Sequence, residues 1–277
     1  MSILNAILLG IVQGLTEFLP VSSSAHLSII DNLFNMSTQV NGHLFFNVLL
    51  HFATMFSVFI VYWREIVAMV EELLAVFGAG PIAAQPRESF PAARMFLMLV
   101  MATLPLLLIL PFKSRFDTLN NQNIFIGLAL VLTGCVLYVA DRMPKGRKSE
   151  RTMSILDAII IGLCQCVAAI PGFSRTAVTV TAGIATGLRR DSAIKFTYLL
   201  SIPAVFGANV LLLSDAIKSG VNWSDMPAYL VGMAAALVTG VGAIYLFRYL
   251  CKDGKFGGFA YYCWVMGVLS IILTMIF

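Results

Sequence analysis

Six runs of apolar residues in this chain are long enough to cross a bilayer as helices, and two more stop short at a proline. A spanning helix needs about 20 predominantly apolar residues. Residues 45–63, 94–112, 123–140, 194–213, 227–247 and 259–277 meet that requirement. Residues 3–19 do not, because they end at "LPVSSS", and residues 155–170 end at "PGFSRT". Each of these shorter runs leads into another short, weakly apolar helix candidate, 25–33 and 176–188. Only 12% of the residues are charged and the mean hydropathy is +0.90, whereas a soluble domain carries about 25% charged residues. A soluble class is therefore excluded, and the chain reads as an all-α polytopic membrane protein. A cleaved leader is not expected at its start, since "MSILNAILLG" has no basic region and Glu17 interrupts the apolar run. The five cysteines lack metal-finger spacing and read as small packing residues.

A break of proline with serine or glycine exposes backbone groups that lipid cannot satisfy, so it is tolerated where it lines a protein cavity. We therefore read 3–33 and 155–188 as two re-entrant helical hairpins, each entering and leaving on one side. The alternative makes each a single proline-kinked span. Charge placement separates the two. With hairpins, the loops 64–93, 141–154, 189–193 and 248–258, with their borders, collect fourteen of the 18 lysines and arginines. The opposite side holds only Lys113, Arg115 and Lys218. Full spans would move Arg189, Arg190 and Lys195 away from the basic segment "DRMPKGRKSER" and dilute this bias. Cytoplasmic loops carry the excess of positive charge, so hairpins plus six transmembrane helices place both termini outside the cytoplasm. Residues 64–91, with Glu71, Glu72, Pro81 and Pro86, read as an amphipathic stretch and a cytoplasmic loop.

"GIVQGLTEFLPVSSSAH" (10–26) and "GLCQCVAAIPGFSRTAV" (162–178) share Gly-x-x-Gln, a short apolar stretch, a proline, and a serine three residues later. Each is followed by a short helix candidate and three spans. An odd number of crossings per unit turns the second copy upside down. The expected organisation is thus an inverted-topology repeat, 1–140 and 153–277, joined by a basic linker at 141–152. Such repeats place binding sites where their broken helices meet.

That meeting point gathers Gln13, Glu17, Ser22, Ser23, Ser24, His26, Ser174, Arg175, Thr176 and Thr179. Ser174, Arg175 and Thr176 open a helix, whose free N–H groups and positive dipole end suit a phosphate. Ser174 or Thr176 as a helix cap is the plain reading of either residue alone. Arg175 is different, because an arginine at membrane depth needs an anion or a carboxylate. Gln13 and Glu17 share a helix face. Glu17 can hold a hard cation, act as a base, or pair with Arg175. His26 lies about one helical turn past Ser23 and suits proton transfer. His43, in a polar loop, and His51, one turn after Asn47 in a span, are weaker candidates. Together these residue types indicate a phosphate carried on a lipid.

"GLTEFLPVSSSAH" and "PGFSRTAVTVTAG", with "FFNVLLHFATMFSVFIVYWREI", resemble the signature segments of the bacterial undecaprenyl-diphosphate phosphatase family, also called bacitracin-resistance proteins. The resemblance runs along nearly the whole chain. It implies hydrolysis of undecaprenyl diphosphate to undecaprenyl phosphate, which recycles the lipid carrier of peptidoglycan synthesis. By the same resemblance Glu17 is the acid of the E/Q-x-x-x-E motif, and Ser23 and His26 compete as nucleophile. Ser22, Ser24, Ser174, Thr176 and Thr179 join Arg175 around the diphosphate. A divalent cation, Mg2+ or Ca2+, is implied, with Glu17 and Gln13 as its protein ligands. Gln13 stands where better-known members carry glutamate and Asn47 where an acid is common, so the site has fewer negative charges.

We expect Ser23 to attack the phosphoryl group, activated by His26 or Glu17, with Arg175 stabilising the charge. Attack by a metal-bound water is the second mechanism. A polyprenyl-phosphate transporter or flippase is the alternative function, since interrupted inverted repeats are transporter architecture. An acid-phosphatase arrangement is rejected, because no histidine follows His51. The expected location is the bacterial inner membrane. The expected partners are the polyprenyl diphosphate and membrane lipids, with a homodimer left open. A net charge of +4 is too small to suggest nucleic acid.

Overall fold

Helices make up the regular structure of the chain, and the sequence sets where most of them stop. The computed structural model describes residues 1–34, 44–80, 82, 90–112, 119, 122–251 and 255–276. His43, Pro81, Pro86, Arg87, Lys113, Arg115, Lys252 and Phe277 lie outside the described residues. In chain order the helices are α1 (Ile3–Phe18), α2 (Ser23–Phe34), α3 (Leu44–Val61), α4 (Trp63–Val76), α5 (Pro91–Thr103), α6 (Asn123–Arg142), α7 (Ile155–Val167), α8 (Arg175–Ala185), α9 (Arg190–Lys218), α10 (Met226–Leu250) and α11 (Gly257–Ile276). Among the described residues there is no strand, only one parallel bridge between Lys148 and Leu188.

Among the described residues, six stretches are long and apolar enough to cross a membrane: Leu44–Val61, Pro91–Phe112, Asn123–Arg142, Arg190–Lys218, Trp223–Leu250 and Gly257–Ile276. They contain the six expected spans with small changes at their ends. The first stops at Val61 because the chain turns at Tyr62, and Trp63 begins α4. The second tightens to a 3-10 helix over Leu104–Phe112, where Pro105 and Pro111 each remove an amide donor. The amphipathic stretch beginning at residue 64 is largely α4. Its Glu72 carboxylate accepts the amide N–H groups of Ala92 and Ala93 at 2.5 and 2.9 Å, and so caps α5.

Lipid offers no hydrophobic drive for one helix to join another, so close packing and interhelical hydrogen bonds hold the bundle. Small residues make that approach possible. A Cβ on Gly10 of α1 would lie 2.2 Å from the carbonyl oxygen of Gly232 in α10. A Cβ on Gly162 of α7 would lie 2.3 Å from that of Ala102 in α5. Thus α1 packs on α10, α7 on α5, α3 on α9, and α6 on α11. Ser57 of α3 adds a polar tie, donating to Leu237 O of α10 at 3.0 Å. Large apolar side chains such as Leu107, Val238 and Val265 remain exposed around the bundle, the pattern of a surface bathed in acyl chains. All five cysteines are unpaired.

The linker is fastened at the near end of α7 and at the turn after α8. Lys148 N donates to Gly187 O at 3.0 Å, and Arg189 N donates to Lys148 O at 2.8 Å. Lys148 Nζ reaches both oxygens of Asp157 at 2.9 Å. Asp157 in turn completes a reciprocal cap with Ser154 at the start of α7.

Candidate active site

Pro20 cannot supply the amide that would extend α1, and the chain turns through Leu19–Ser22 before α2 begins at Ser23. Ser22 carries the turn with φ 66°, a left-handed conformation that L side chains rarely adopt. This geometry sets Glu17, in the last turn of α1, beside Ser23, the first residue of α2. Ser23 Oγ donates to Glu17 Oε2 at 2.9 Å.

An open turn inside a bundle frees carbonyls that must find donors, and three other helices supply most of them. Thr176 Oγ1 of α8 donates to Glu17 O at 3.3 Å. Tyr198 OH of α9 donates to Phe18 O at 3.1 Å. Val21 N takes Leu19 O at 2.8 Å. Cys263 Sγ of α11 lies 3.6 Å from Pro20 O. Ser22 O accepts His26 N at 3.3 Å and meets His26 Nδ1 at 2.8 Å. The turn is therefore held from outside.

Four groups converge on the Glu17 carboxylate, whose side chain is 6% exposed. Gln13, one turn earlier, donates from Nε2 to Glu17 Oε2 at 3.0 Å. The same Nε2 lies 3.0 Å from His51 Nδ1, which is 3.6 Å from Glu17 Oε2. Across the break, Arg175 Nη2 stands 3.5 Å from the other oxygen, Oε1. A buried carboxylate needs such partners. Arg175 and His51 are 29% and 28% exposed, so both keep an open face that the carboxylate lacks.

Arg175 is the first residue of α8. Ser174 is its N-cap and accepts Ala177 N at 3.3 Å. Ser174 N donates to Thr133 Oγ1 of α6 at 3.2 Å. Gly172 has φ 91°, and a Cβ there would meet Ile126 O and Ala129 Cβ at 2.7 Å, so a side chain has no place. Its N–H donates to Ser24 Oγ at 3.2 Å, a direct link between the two loops, and Ser24 Oγ also meets Ser22 Oγ at 3.2 Å. Thr179 Oγ1 donates back to Arg175 O at 2.7 Å. The structure thus joins Gln13, Glu17, Ser23 and Arg175 in one cluster, while the hydroxyls of Ser22, Ser24, Ser174, Thr176 and Thr179 bond within and between the loops.

His26 is turned elsewhere. A carbonyl only accepts, so Nδ1 donates to Ser22 O. A neutral ring then accepts the Tyr262 hydroxyl at Nε2, 2.7 Å away. The two rings stack with centroids 5.6 Å apart. His51, the weaker candidate in the sequence, takes the place beside Glu17. Its signal was a polar pair one turn apart, Asn47 and His51, inside an otherwise apolar span. Nothing in the sequence pointed to Tyr262.

Among the described residues no three His, Cys, Asp or Glu side chains group as a metal-ligand set. Donors at hand for a hard cation include the Glu17 carboxylate and Gln13 Oε1, which is buried without a hydrogen-bond partner among the described residues. One carboxylate and one free amide oxygen fit a cation that takes most of its ligands from phosphate oxygens and water.

Known proteins resemble this chain along nearly its whole length. Residues 6–269 match the family model "Bacitracin resistance protein BacA". The undecaprenyl-diphosphatase of Alkaliphilus metalliredigens is 35% identical over 277 residues, covering 100% of both chains. That of Carboxydothermus hydrogenoformans is 34% identical over 276 residues, 99% of this chain and 98% of its own. That of Pelotomaculum thermopropionicum is 37% identical over 276 residues, 99% and 97% respectively.

Proposed function

Because the chain belongs to the bacitracin resistance protein BacA family, we propose that this multi-pass membrane protein hydrolyses undecaprenyl diphosphate to undecaprenyl phosphate and inorganic phosphate. One observation carries the reading: Glu17 presents one oxygen to Ser23 at 2.9 Å and the other to Arg175 at 3.5 Å. Ser23 Oγ attacks the terminal phosphorus while its proton passes to Glu17 Oε2, and the bond to the bridging oxygen breaks. The Arg175 guanidinium and the first-turn N–H groups of α8 meet the charge on the transferring phosphoryl group. Water then cleaves the phosphoserine. His51 and Gln13 orient Glu17 from the side away from Arg175. Glu17 and Gln13 Oε1 would hold a Mg2+ or Ca2+ ion, which supplies charge neutralisation to the diphosphate when bound.

The test uses the full chain in detergent with substrate labelled in its terminal phosphate. Acid quenching is expected to trap label on the wild-type protein and none on Ser23→Ala, which releases no phosphate. Release of phosphate by Ser23→Ala at the wild-type rate overturns the serine step in favour of direct attack by water. Binding without any release by the wild type would favour transport instead.

The inverted repeat supports the same reading and remains a proposal with it. The packing pairs exchange as such a repeat requires: α1 on α10 answers α7 on α5, while α3 on α9 and α6 on α11 each pair equivalent spans. Gly10 and Gly162, equivalent in the shared motif, stand at the two exchanged contacts. In this arrangement both hairpins are re-entrant and both termini are outside. Labelling of Ser149→Cys by a membrane-impermeant thiol reagent in intact cells would refute that orientation.

A further inference from the structure

At the basic end of the bundle, among residues distinct from those around Glu17, lies a cavity of about 1150 Å³. It opens between Tyr62 after α3, the linker at Lys145, the first turn of α9 and the last turns of α10. Five cations and three carboxylates line it, an excess of two positive charges. The carboxylates are already used. Asp191 holds Arg189 at 2.6 Å, and Glu65 and Glu150 both hold Lys195, at 3.4 and 3.3 Å.

Three cations are left over. Arg190 spends Nη2 on the carbonyls of Ala140, Asp141 and Met143, while its buried Nε has no partner among the described residues. Arg248 lies over the Tyr62 ring at 5.7 Å. Neither Lys145 nor Arg248 pairs with a carboxylate among the described residues. Tyr62 is 3% exposed, yet among the described residues its hydroxyl has no hydrogen-bond partner. A buried unpaired donor beside surplus cations is a gap with the chemistry of an anion.

The mouth of the cavity identifies the kind of anion. Tyr245 and Tyr249 sit one turn apart on α10, 55% and 74% exposed, at the end of a membrane-competent helix. Aromatic side chains at that level lie against lipid headgroups, and basic pockets between helix ends take anionic headgroups. We propose that this cavity binds the phosphate headgroup of an anionic membrane phospholipid, with the acyl chains leaving past Tyr245 and Tyr249. The proposal is independent of the hydrolytic site.

The test measures binding to the full chain in a neutral maltoside detergent, using dioctanoyl phosphatidylglycerol, dioctanoyl phosphatidylcholine and inorganic phosphate as probes. Phosphatidylglycerol is expected to bind and to raise Tm, while phosphatidylcholine does neither. Removing two cations with Lys145→Ala/Arg248→Ala is expected to weaken phosphatidylglycerol binding about thirtyfold, with phosphate release from the labelled substrate unchanged. Tyr62→Phe keeps the charge and should weaken binding about threefold. Equal affinity for phosphatidylcholine overturns the proposal, and so does unchanged binding by the double variant. If that variant does not fold, unchanged binding by Tyr62→Phe overturns it. Inorganic phosphate binding as tightly as the lipid would replace the headgroup with a free anion and overturn the lipid assignment.

Discussion

The two loops at the centre of this protein share a template and differ in how their backbone is held. After Val167 the second loop closes largely on itself: the N–H groups of Ala168, Ala169, Ile170 and Phe173 each return to a carbonyl three residues back, while those of Gly172 and Ser174 reach Ser24 and Thr133. The first loop instead receives donors from Thr176, Tyr198 and Cys263 on three other helices. Their glutamines differ in the same sense. Gln13 donates to Glu17 one turn later and meets His51. Gln165 is 1% exposed, and among the described residues neither of its amide atoms has a partner. The residue four beyond it is Ala169, past the end of α7. The two loops thus share a sequence template while their charges differ. In the proposed mechanism, the loop that aims Glu17 at Ser23 is the one whose carbonyls take donors from three other helices.

The contrast breaks most sharply if its charged ends are removed. Glu17→Gln and Arg175→Ala should each lower the rate of phosphate release about a thousandfold or more, as expected for electrostatic stabilisers of a transferring group, with membrane insertion retained on fractionation. Next comes the external support. Tyr198→Phe leaves Phe18 O without its donor, at a cost of about 1–3 kcal/mol. It should lower both Tm and turnover; normal turnover would show that the first loop keeps its shape unaided. The paired glutamines should then separate. Gln13→Leu should reduce turnover, whereas Gln165→Leu should leave turnover intact and hold or raise Tm, because it removes an unpaired buried amide. A loss of turnover in Gln165→Leu would mean that the second glutamine has work of its own.

The smallest effect concerns the link between the halves. Burial works against the charged form of Glu150, but the Ser192 hydroxyl and then the Lys195 ammonium outweigh it and hold the carboxyl below its ordinary range. A carboxylate depressed in the folded state stabilises at neutral pH, and that contribution is lost as pH falls through its folded value. The Tm difference between wild type and Glu150→Gln should therefore shrink towards zero on acidification.

The spans were legible because lipid demands long apolar runs, and the breaks because proline, glycine and serine interrupt them. Glu17 and Arg175 stood out for a related reason: ionised groups are rare at such depth. What stayed hidden were contacts made by folding alone. His51 lies 38 residues from Gln13, and Tyr262 lies 236 from His26; no local period links either pair. His26 was readable as a neighbour of Ser23 along α2. Its ring orientation was not, since that depends on which hydroxyl α11 brings to it.

Ser22 has one more consequence. A side chain kept at φ 66° costs about 1 kcal/mol relative to a relaxed backbone, and glycine would remove that tension. The residue just before Ser23 is thus wound tight in the resting protein. On the proposed mechanism the hydroxyl is cocked before any lipid arrives, and a slacker hinge would trade that readiness for robustness.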